Sequence, residues 1–339
     1  MLRVEYRDGL YLPDLDLWLD AAGPREHSVV SHAHADHIAA HRRIVATPET
    51  ARLFAHRLGA CEVEALGYGE RRDYGRYALT LLPAGHCLGS AQTLVEADGE
   101  RLVYTGDIKL RPNVAAEQAV IVPCDTLVME VTFGDPAFRF PPEGEVIDRL
   151  CEVIDRALAE ERTPVVFAYA LGKSQEALEH LLRRGYRIAL YGSVWTTTEV
   201  YRELGVQFSG EYERYAGGSL EGRVLMAAPG CRSYPPVAEL KRKTTVMLTG
   251  WAVKGGQRFY ADVDVLLPLS DHADYDELVR LVVETRAERV ITMHGGASFA
   301  ADLRQMGLNA EHLAVYPNVS AGRVKVGRAA TSVQRKLFE

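Results

Sequence analysis

Four histidines and an aspartate fall within residues 31–41, in the stretch SHAHADHIAAH, although the whole chain contains only 11 histidines. His32 and His34 follow an apolar run at alternate positions, so both side chains can point to the same side of an extended segment. Asp36 and His37 come next, where we expect the chain to turn into a helix. Imidazole and carboxylate groups without thiolates suit Zn²⁺ or Mn²⁺. Because packing four desolvated polar groups together is costly without something to bind them, the loop predicts a metal site.

More candidate ligands lie at the ends of other predicted strands. His86 occurs in the turn GHCLGS, Asp107 ends LVYTGD, and His294 lies in ITMHGG. The HxHxDH loop offers more donors than one tetrahedral ion would take from a single loop, so we infer two ions. A carboxylate such as Asp107 can bridge them. His41 falls outside the spacing, and we expect it at the surface, on the helix that follows.

Short β-strands are predicted in the first third of the chain, among them SVVS, YALTLLPA, AQTLVEA and RLVYTG. One helix, TPETARLFAHRLG, interrupts them, with Thr47 or Thr50 as its cap and Gly59 as its end. From about residue 145, the helical patterns EVIDRLCEVIDRALAEE and GKSQEALEHLLRRG alternate with the apolar strands PVVFAYA and RIALYG. This alternation predicts βα units that form a parallel sheet.

The composition is that of a globular protein, with 47% hydrophobic and 25% charged residues and a net charge of −7. The five cysteines are scattered and include no CxxC, which argues against a disulfide framework and a thiolate zinc site. No apolar run is long enough to span a bilayer, and the first residues lack the features of a signal peptide, so we expect a cytoplasmic protein. Negative net charge does not exclude a nuclease, because metals and a local basic groove can bind phosphate.

The motif order HxHxDH, GHCLGS and TGD resembles the metallo-β-lactamase fold over the first 140 residues and the C-terminal third. That resemblance implies an α/β protein with an αββα sandwich and two divalent ions, Zn²⁺ or Mn²⁺. It assigns His32, His34 and His86 to one ion, Asp36, His37 and His294 to the other, and Asp107 to a bridging position. It also implies that Asp36 helps to orient the attacking water.

Three further motifs resemble the signatures of the β-CASP nucleases, which include the mRNA 3′-end cleavage factor, ribonuclease J and Artemis-type repair enzymes. They are Glu130 in LVMEVTFGDP, His272 in LPLSDHAD and His294 in MHGG. The resemblance implies that His272 protonates the leaving oxygen or steadies the phosphate, while Glu130 fixes its orientation. FAYALGKSQEAL is similar to the inserted α/β domain of that group. By its own chemistry it offers Lys173 and Ser174 to a phosphate at a helix N-terminus, or it is an ordinary βα turn.

The resemblance divides the chain into four segments. They are the first part of the metallo-β-lactamase domain at 1–140, a short α/β β-CASP insert at 141–245, the completion of the first domain at 246–325 and a tail at 326–339. Lys254 and Arg258 follow the glycine-rich TGWAVKGG and are further candidates for phosphate contact. Trp251 either stacks on a base or anchors a core.

Two features point to different nucleic acids. In the family, a histidine such as His294 at the last motif is associated with RNA-cutting members. EVTFGDPAFRFPP and the short insert instead resemble the bacterial DNA exonucleases associated with an ATP-dependent DNA ligase and a Lhr-type helicase, which are therefore candidate partners. We favour a DNA exonuclease in repair or end processing, with an RNA nuclease of the mRNA 3′-end or ribonuclease J type as the alternative. The insert counts against a small-molecule hydrolase, and the complete ligand set counts against a non-catalytic subunit.

Overall fold

The computed structural model of the chain describes residues 1–254 and 262–314, which form two compact units. Unit 1 comprises Met1–Pro112, Glu117–Pro136 and the described residues from His272 onward. Unit 2 comprises Asn113–Ala116 and the described part of Ala137–Asp271. Both units combine helices with sheets, so the predicted mixed α/β class is confirmed. Within this part of the chain, no helix is both long and apolar enough to cross a membrane.

Unit 1 contains two sheets. The first has six strands in chain order, β1 (Glu5–Tyr6), β2 (Leu10–Leu12), β3 (Leu17–Leu19), β4 (His27–Val29), β5 (Arg43–Ala46) and β6 (Glu62–Ala65). The second has seven strands, in the spatial order β19 (Ala310–His312), β18 (Arg289–Met293), β11 (Thr126–Glu130), β10 (Glu100–Tyr104), β9 (Ala91–Ala97), β8 (Ala78–Pro83) and β7 (Arg71–Asp73). In the second sheet, β10, β11 and β18 run parallel to one another and therefore end at the same edge.

Alternating leucines explain why the two sheets of unit 1 face each other. Leu10 and Leu12 in β2, like Leu17 and Leu19 in β3, are two positions apart and so project to one face of their sheet. They belong to one buried cluster with apolar side chains of the second sheet such as Val95. Full burial of one such leucine contributes about 1.5–3 kcal/mol to folding.

Helices cover the outer faces of the two sheets of unit 1. They are α1 (Pro48–Leu58), α6 (Tyr275–Thr285) and α7 (Ser298–Gln305). Phe54 of α1 packs in a cluster with the first sheet, whereas Leu281 of α6 and Phe299 of α7 pack against the second. Unit 1 is therefore layered as helix, sheet, sheet and helices.

The first helix begins and ends at the residues that the sequence indicates. The Thr47 side chain accepts a hydrogen bond from the Thr50 N–H at 3.1 Å, so Thr47 is the cap and Thr50 lies within the helix. Pro48 occupies the start of the helix, where its missing N–H costs nothing. Gly59, with a φ of 92°, ends it.

Unit 2 has one parallel sheet with helical connections. Its strands lie in the order β14 (Tyr212–Arg214), β13 (Ile188–Leu190), β15 (Val224–Ala227), β12 (Thr163–Phe167), β16 (Lys243–Leu248) and β17 (Val265–Leu267). The helices are α2 (Glu143–Ala159), α3 (Lys173–Arg183), α4 (Ser193–Glu203) and the short α5 (Pro235–Ala238). The predicted alternation of helices and parallel strands is confirmed.

The predicted end of the insert, at residue 245, falls within the sheet of unit 2. Lys243 pairs with Thr163, and Leu248 pairs with Leu267, so residues on both sides of the predicted boundary at 245/246 belong to one sheet. Contacts between residues place the end of unit 2 at Asp271. We therefore propose that the inserted segment extends to Asp271, and the remaining domain limits stay predictions.

Candidate metal centre

The candidate ligands of unit 1 all follow strands. Four of them lie in the loop after β4, and the others follow β8, β10 and β18: His32, His34, Asp36, His37, His86, Asp107 and His294. Since β10, β11 and β18 end at the same edge of their sheet, Asp107, Glu130 and His294 are brought to one place. The sheet topology thus collects donors that are far apart in the sequence.

Four donors form the first candidate ligand cluster: His32, His34, His86 and Asp107, each with a ligand atom within 4.8 Å of the others. His86 Nε2 lies 3.0 Å from His34 Nδ1 and 3.7 Å from Asp107 Oδ2. His32 Nε2 lies 3.4 Å from the same oxygen and is buried without a hydrogen bond. Ligand atoms of a tetrahedral zinc ion with bonds of about 2.1 Å are separated by about 3.4 Å. The donor set therefore fits a divalent cation.

The second candidate group surrounds His37. Its Nε2 lies 3.4 Å from Asp107 Oδ1 and 3.9 Å from Asp36 Oδ2. The ring of His294 lies 5.8 Å from that of His37, centroid to centroid. Asp107 therefore presents one carboxylate oxygen to each group, which is the arrangement that a bridging ligand needs.

Asp20, at the end of β3, holds this loop in place and was not predicted from the sequence. Its Oδ2 accepts hydrogen bonds from the Tyr104 hydroxyl at 2.9 Å and the Ser31 hydroxyl at 2.5 Å, and lies 2.8 Å from His37 Nδ1. Its Oδ1 accepts the Ser31 N–H at 2.7 Å. A carboxylate on the far nitrogen of a ligating histidine fixes the ring and its tautomer, so His37 directs Nε2 towards Asp107.

Ser31 links Asp20 to His32 and orients the ring of His32. Its hydroxyl donates to Asp20 and lies 2.9 Å from His32 Nδ1, so it can accept the proton on that nitrogen. His32 then keeps the lone pair on Nε2, the atom that faces Asp107. One buried carboxylate thus orients two candidate ligands, one directly and one through a hydroxyl.

The charged groups of the centre shift the pKa values of one another. Burial lowers the pKa of His37, but the carboxylates of Asp107 and Asp20 outweigh burial and raise that pKa to about 10. Burial and the neighbouring His37 hold the pKa of His32 well below its ordinary value. Burial alone would raise the pKa of Asp107, yet His37 and His272 hold it well below its ordinary value. The buried carboxylate thus stays ionised and attracts positive charge.

Two backbone positions allow the loops to approach so closely. Gly106 has a φ of 56°, and a Cβ there would lie 2.7 Å from the Ser31 side chain. A Cβ on Gly295 would lie 2.0 Å from the Val131 carbonyl oxygen. His294 itself adopts a φ of 54°, which is uncommon outside glycine and stores strain at functional sites.

Glu130 and His272 form a pair beside the ligand cluster. His272 Nδ1 lies 3.0 Å from Glu130 Oε1, and Glu130 is only 1% exposed. Glu130 Oε2 also accepts the Thr132 N–H at 2.8 Å, which fixes the carboxylate. His272 Nε2 lies 3.9 Å from Asp107 Oδ2. The buried glutamate therefore holds Nδ1 of His272, while Nε2 of the same ring lies on the side of the ligand cluster.

The prediction for His41 is wrong in two respects. No helix follows the histidine motif directly, because the chain continues into β5 and α1 begins only at Pro48. His41 is 3% exposed, and its Nδ1 accepts the Arg25 N–H at 3.2 Å. His41 is thus a buried residue that supports the loop.

The predicted phosphate contacts of unit 2 lie in different environments. Lys173 is buried and pairs with Asp271 at 2.8 Å. Ser174 is fully buried and donates its hydroxyl to the Ala168 carbonyl at 3.2 Å. Lys254 is exposed, with its Nζ 4.8 Å from the centre of the Phe138 ring. The fourth candidate lies outside the described residues: Arg258.

Comparisons with known proteins match most of the chain. It is 39% identical over 91% of its length to a probable DNA ligase of Opitutus terrae, of which it covers 30%. It is 26% identical over 79% of its length to an RNase J-like protein of Methanocaldococcus jannaschii, of which it covers 80%. It is 25% identical over 84% of its length to the 5′ exonuclease Apollo of Rattus norvegicus, of which it covers 54%. The chain therefore spans only part of the first and third of these relatives.

A solved structure supports the fold. The protein, from Enterococcus faecalis and of unknown function, matches with a TM-score of 0.55 and 12% identity, over 86% of this chain and 79% of that chain. No family model matches the sequence. The ordered ligand motifs and these relatives are consistent with the β-CASP group of metallo-β-lactamase proteins, the group that the sequence motifs resemble.

Proposed function

We propose that the chain is a two-metal-dependent phosphodiesterase that cleaves nucleic acid. One observation carries the proposal: Glu130 holds Nδ1 of His272, and Nε2 of the same ring lies 3.9 Å from Asp107, the carboxylate that faces both ligand groups. Two-metal sites are common in enzymes that cleave phosphodiesters. The relatives named as nucleases support the same activity.

The two ligand groups would hold two divalent ions, Zn²⁺ or Mn²⁺. The first ion would take His32, His34 and His86, the second would take Asp36, His37 and His294, and Asp107 would serve both. When bound, such a pair of ions lowers the pKa of water and stabilises the charge that develops on a phosphate. The sequence of the chain supplies every ligand that this arrangement needs.

The remaining steps fall to side chains of unit 1. Asp36 is 80% exposed and can orient the attacking water from the solvent side. His272 keeps Nδ1–H on Glu130, which leaves Nε2 to carry a proton to the leaving oxygen. Glu130 acts as a positioning residue, because it holds the tautomer of His272 without facing the substrate.

We favour DNA as the substrate and exonucleolytic end processing or repair as the task. The relative that is 39% identical is named a probable DNA ligase, and Apollo is named a 5′ exonuclease. RNA is the second candidate, because the chain covers 80% of the length of a relative named RNase J-like protein. An ATP-dependent DNA ligase and a Lhr-type helicase remain proposed partners.

The finer architecture and the location are part of the same proposal. The layers of unit 1 and the parallel sheet of unit 2 support an αββα metallo-β-lactamase sandwich that carries a short β-CASP insert. Of the predicted phosphate contacts, Lys254 is retained, whereas the burial of Lys173 and Ser174 supports the alternative of an ordinary βα turn. The cytoplasmic location stays a prediction.

A substrate panel tests this function. The purified chain is incubated with Mn²⁺ or Zn²⁺ and with end-labelled single-stranded DNA and RNA of the same sequence, with and without a terminal phosphate. We expect metal-dependent release of product, faster from DNA, that stops when a chelator is added. Faster cleavage of RNA would select the second candidate, and no cleavage of either polymer would refute the nuclease proposal.

A further inference from the structure

Two aromatic side chains stand out at the carboxyl edge of the unit 2 sheet. Tyr169 is 52% exposed and Trp251 is 43% exposed. Every other phenylalanine, tyrosine and tryptophan in the described residues is buried or partly buried. Among the described residues, Tyr169 and Trp251 are therefore the aromatic side chains that solvent reaches most.

The two residues follow strands that are neighbours in the sheet. Tyr169 follows β12 and Trp251 follows β16, and these strands are parallel neighbours in which Phe167 pairs with Met247. Neighbouring strands are about 4.8 Å apart, so the two loops leave the sheet side by side. Ligands of open parallel sheets bind beyond the carboxyl ends of the strands. The exposed rings occupy that position.

Contacts within unit 2 hold each residue in place. The ring of Phe138 stands at 90° to that of Trp251, with centroids 5.3 Å apart, and Phe138 itself is buried. The Tyr169 carbonyl accepts the Ser174 N–H at 3.1 Å, which fixes its backbone at the start of α3. Rings that are already ordered lose little conformational entropy when a ligand stacks on them.

A lysine lies near each ring, and one of the two lysines is exposed. The Lys173 ammonium lies 5.0 Å from the centre of the Tyr169 ring, but it is buried and paired with Asp271. The Lys254 ammonium lies 4.8 Å from the Phe138 ring that supports Trp251, and Lys254 is exposed. A planar hydrophobic surface beside a cation suits a ligand that is flat and apolar at one end and anionic at the other.

We propose that Tyr169 and Trp251 form a stacking site for the unpaired bases of a single-stranded nucleic acid. Sequence-tolerant binding of single strands commonly combines aromatic platforms with cations that follow the phosphates. A duplex cannot use such a site, because its bases are already stacked on each other. The inference rests on the proposed function only in that the nuclease substrate would be the ligand.

Binding to bases is measured separately from binding to phosphates. Fluorescence anisotropy, in metal-free buffer with a chelator to prevent cleavage, compares a labelled single-stranded oligothymidylate with an abasic oligonucleotide of equal length. Wild-type protein is expected to bind the base-bearing strand at least about fivefold more tightly, since stacking of one base contributes about 1 kcal/mol or more.

Alanine and phenylalanine variants test whether the two rings cause the preference for the base-bearing strand over the abasic strand. Tyr169→Ala and Trp251→Ala should each reduce it, and the double variant should abolish it. Tyr169→Phe and Trp251→Phe keep a ring and should retain most of it. Tyr11→Ala, which removes a partly exposed ring from unit 1, is the matched control and should leave it unchanged. Circular dichroism confirms that each variant is folded.

The outcomes separate this inference from the proposed function. A preference for bases that persists in the folded double variant, or that is absent from the wild type, overturns the stacking site. Hydrolysis is assayed separately with Mn²⁺ and wild-type protein. Ring-dependent binding without hydrolysis would support the stacking site and refute the nuclease, and hydrolysis without ring-dependent binding would do the reverse.

Discussion

The loop after β4 in unit 1 and the loop after β12 in unit 2 both follow a buried strand, but they satisfy their polar groups differently. In unit 1, His32 Nε2 is buried without a hydrogen bond and faces Asp107. In unit 2, Lys173 pairs with Asp271, and Ser174 bonds to a carbonyl of its own turn. The donor set of the first loop fits a cation, whereas the polar groups of the second loop are paired within the fold.

This difference follows from the cost of burying polar groups. A buried donor or acceptor must find a partner, and the partner can be a ligand or another part of the chain. A polar residue after a strand therefore indicates a binding site only when the fold leaves its functional atom without an internal partner. In unit 2 the predicted cation and hydroxyl are paired within the fold, and the side chains that stay exposed near them are two aromatic rings.

Loss of the shared carboxylate should have the largest effect. Asp107→Ala removes the carboxylate that faces both ligand groups, so we expect metal content to fall and turnover to be abolished, a larger loss than the roughly 10–100-fold cost of removing an outer partner. Metal analysis and the cleavage assay measure the two effects. Asp148→Ala changes an exposed carboxylate of unit 2 and is the control. Unchanged turnover in Asp107→Ala would show that Asp107 is not a ligand.

Removal of the proton donor should reduce turnover without removing metal. His272→Ala is expected to lower turnover by about 10²–10⁴-fold, the usual contribution of general acid catalysis. Glu130→Gln should have a smaller effect in the same direction, because it disturbs only the orientation of His272. If His272→Ala instead lost the bound metal, His272 would be a ligand and its assigned role would be wrong.

The paired lysine of unit 2 should affect stability more than binding. Lys173→Ala removes the ammonium that pairs with the buried Asp271, so the free energy of unfolding should fall by about 3–5 kcal/mol. Urea denaturation measures this loss. The double variant Lys173→Met/Asp271→Leu replaces both charges with apolar groups and should recover most of the stability. If Lys173→Ala instead weakened nucleic-acid binding without changing stability, Lys173 would be a substrate contact. The loop after β12 would then bind a ligand, as we propose for the loop after β4.

A smaller effect is expected from the carboxylate that supports the histidines. Asp20→Asn weakens the hold on His37 Nδ1 and on Ser31, so metal affinity should fall by about 10–100-fold. Competition with a chromophoric chelator measures the affinity. Tyr104→Phe removes a single hydrogen bond to Asp20 and should cost about tenfold or less. Equal affinities in the wild type and Asp20→Asn would limit Asp20 to a structural role.

Local signals in the sequence predicted much of the fold. The cap at Thr47 and the stop at Gly59 bound α1 because both act through hydrogen bonds within a few residues. The apolar spacing in α2 and the alternation of helices and strands in unit 2 were equally clear, since they reflect helical and strand periods. Interactions between distant residues carried no such signal. Asp20 lies 17 positions before His37, and no spacing rule links them.

The sequence by itself determined which donors the chain offers and the strands after which they lie, because HxHxDH, His86, Asp107 and His294 can be identified by residue type and local context. Tertiary structure decided where each side chain points. It paired His37 with Asp20, buried His41 and Lys173, and left Trp251 exposed. The physical reason is that the direction of a side chain depends on partners supplied by distant strands, and these partners meet only when the sheets form.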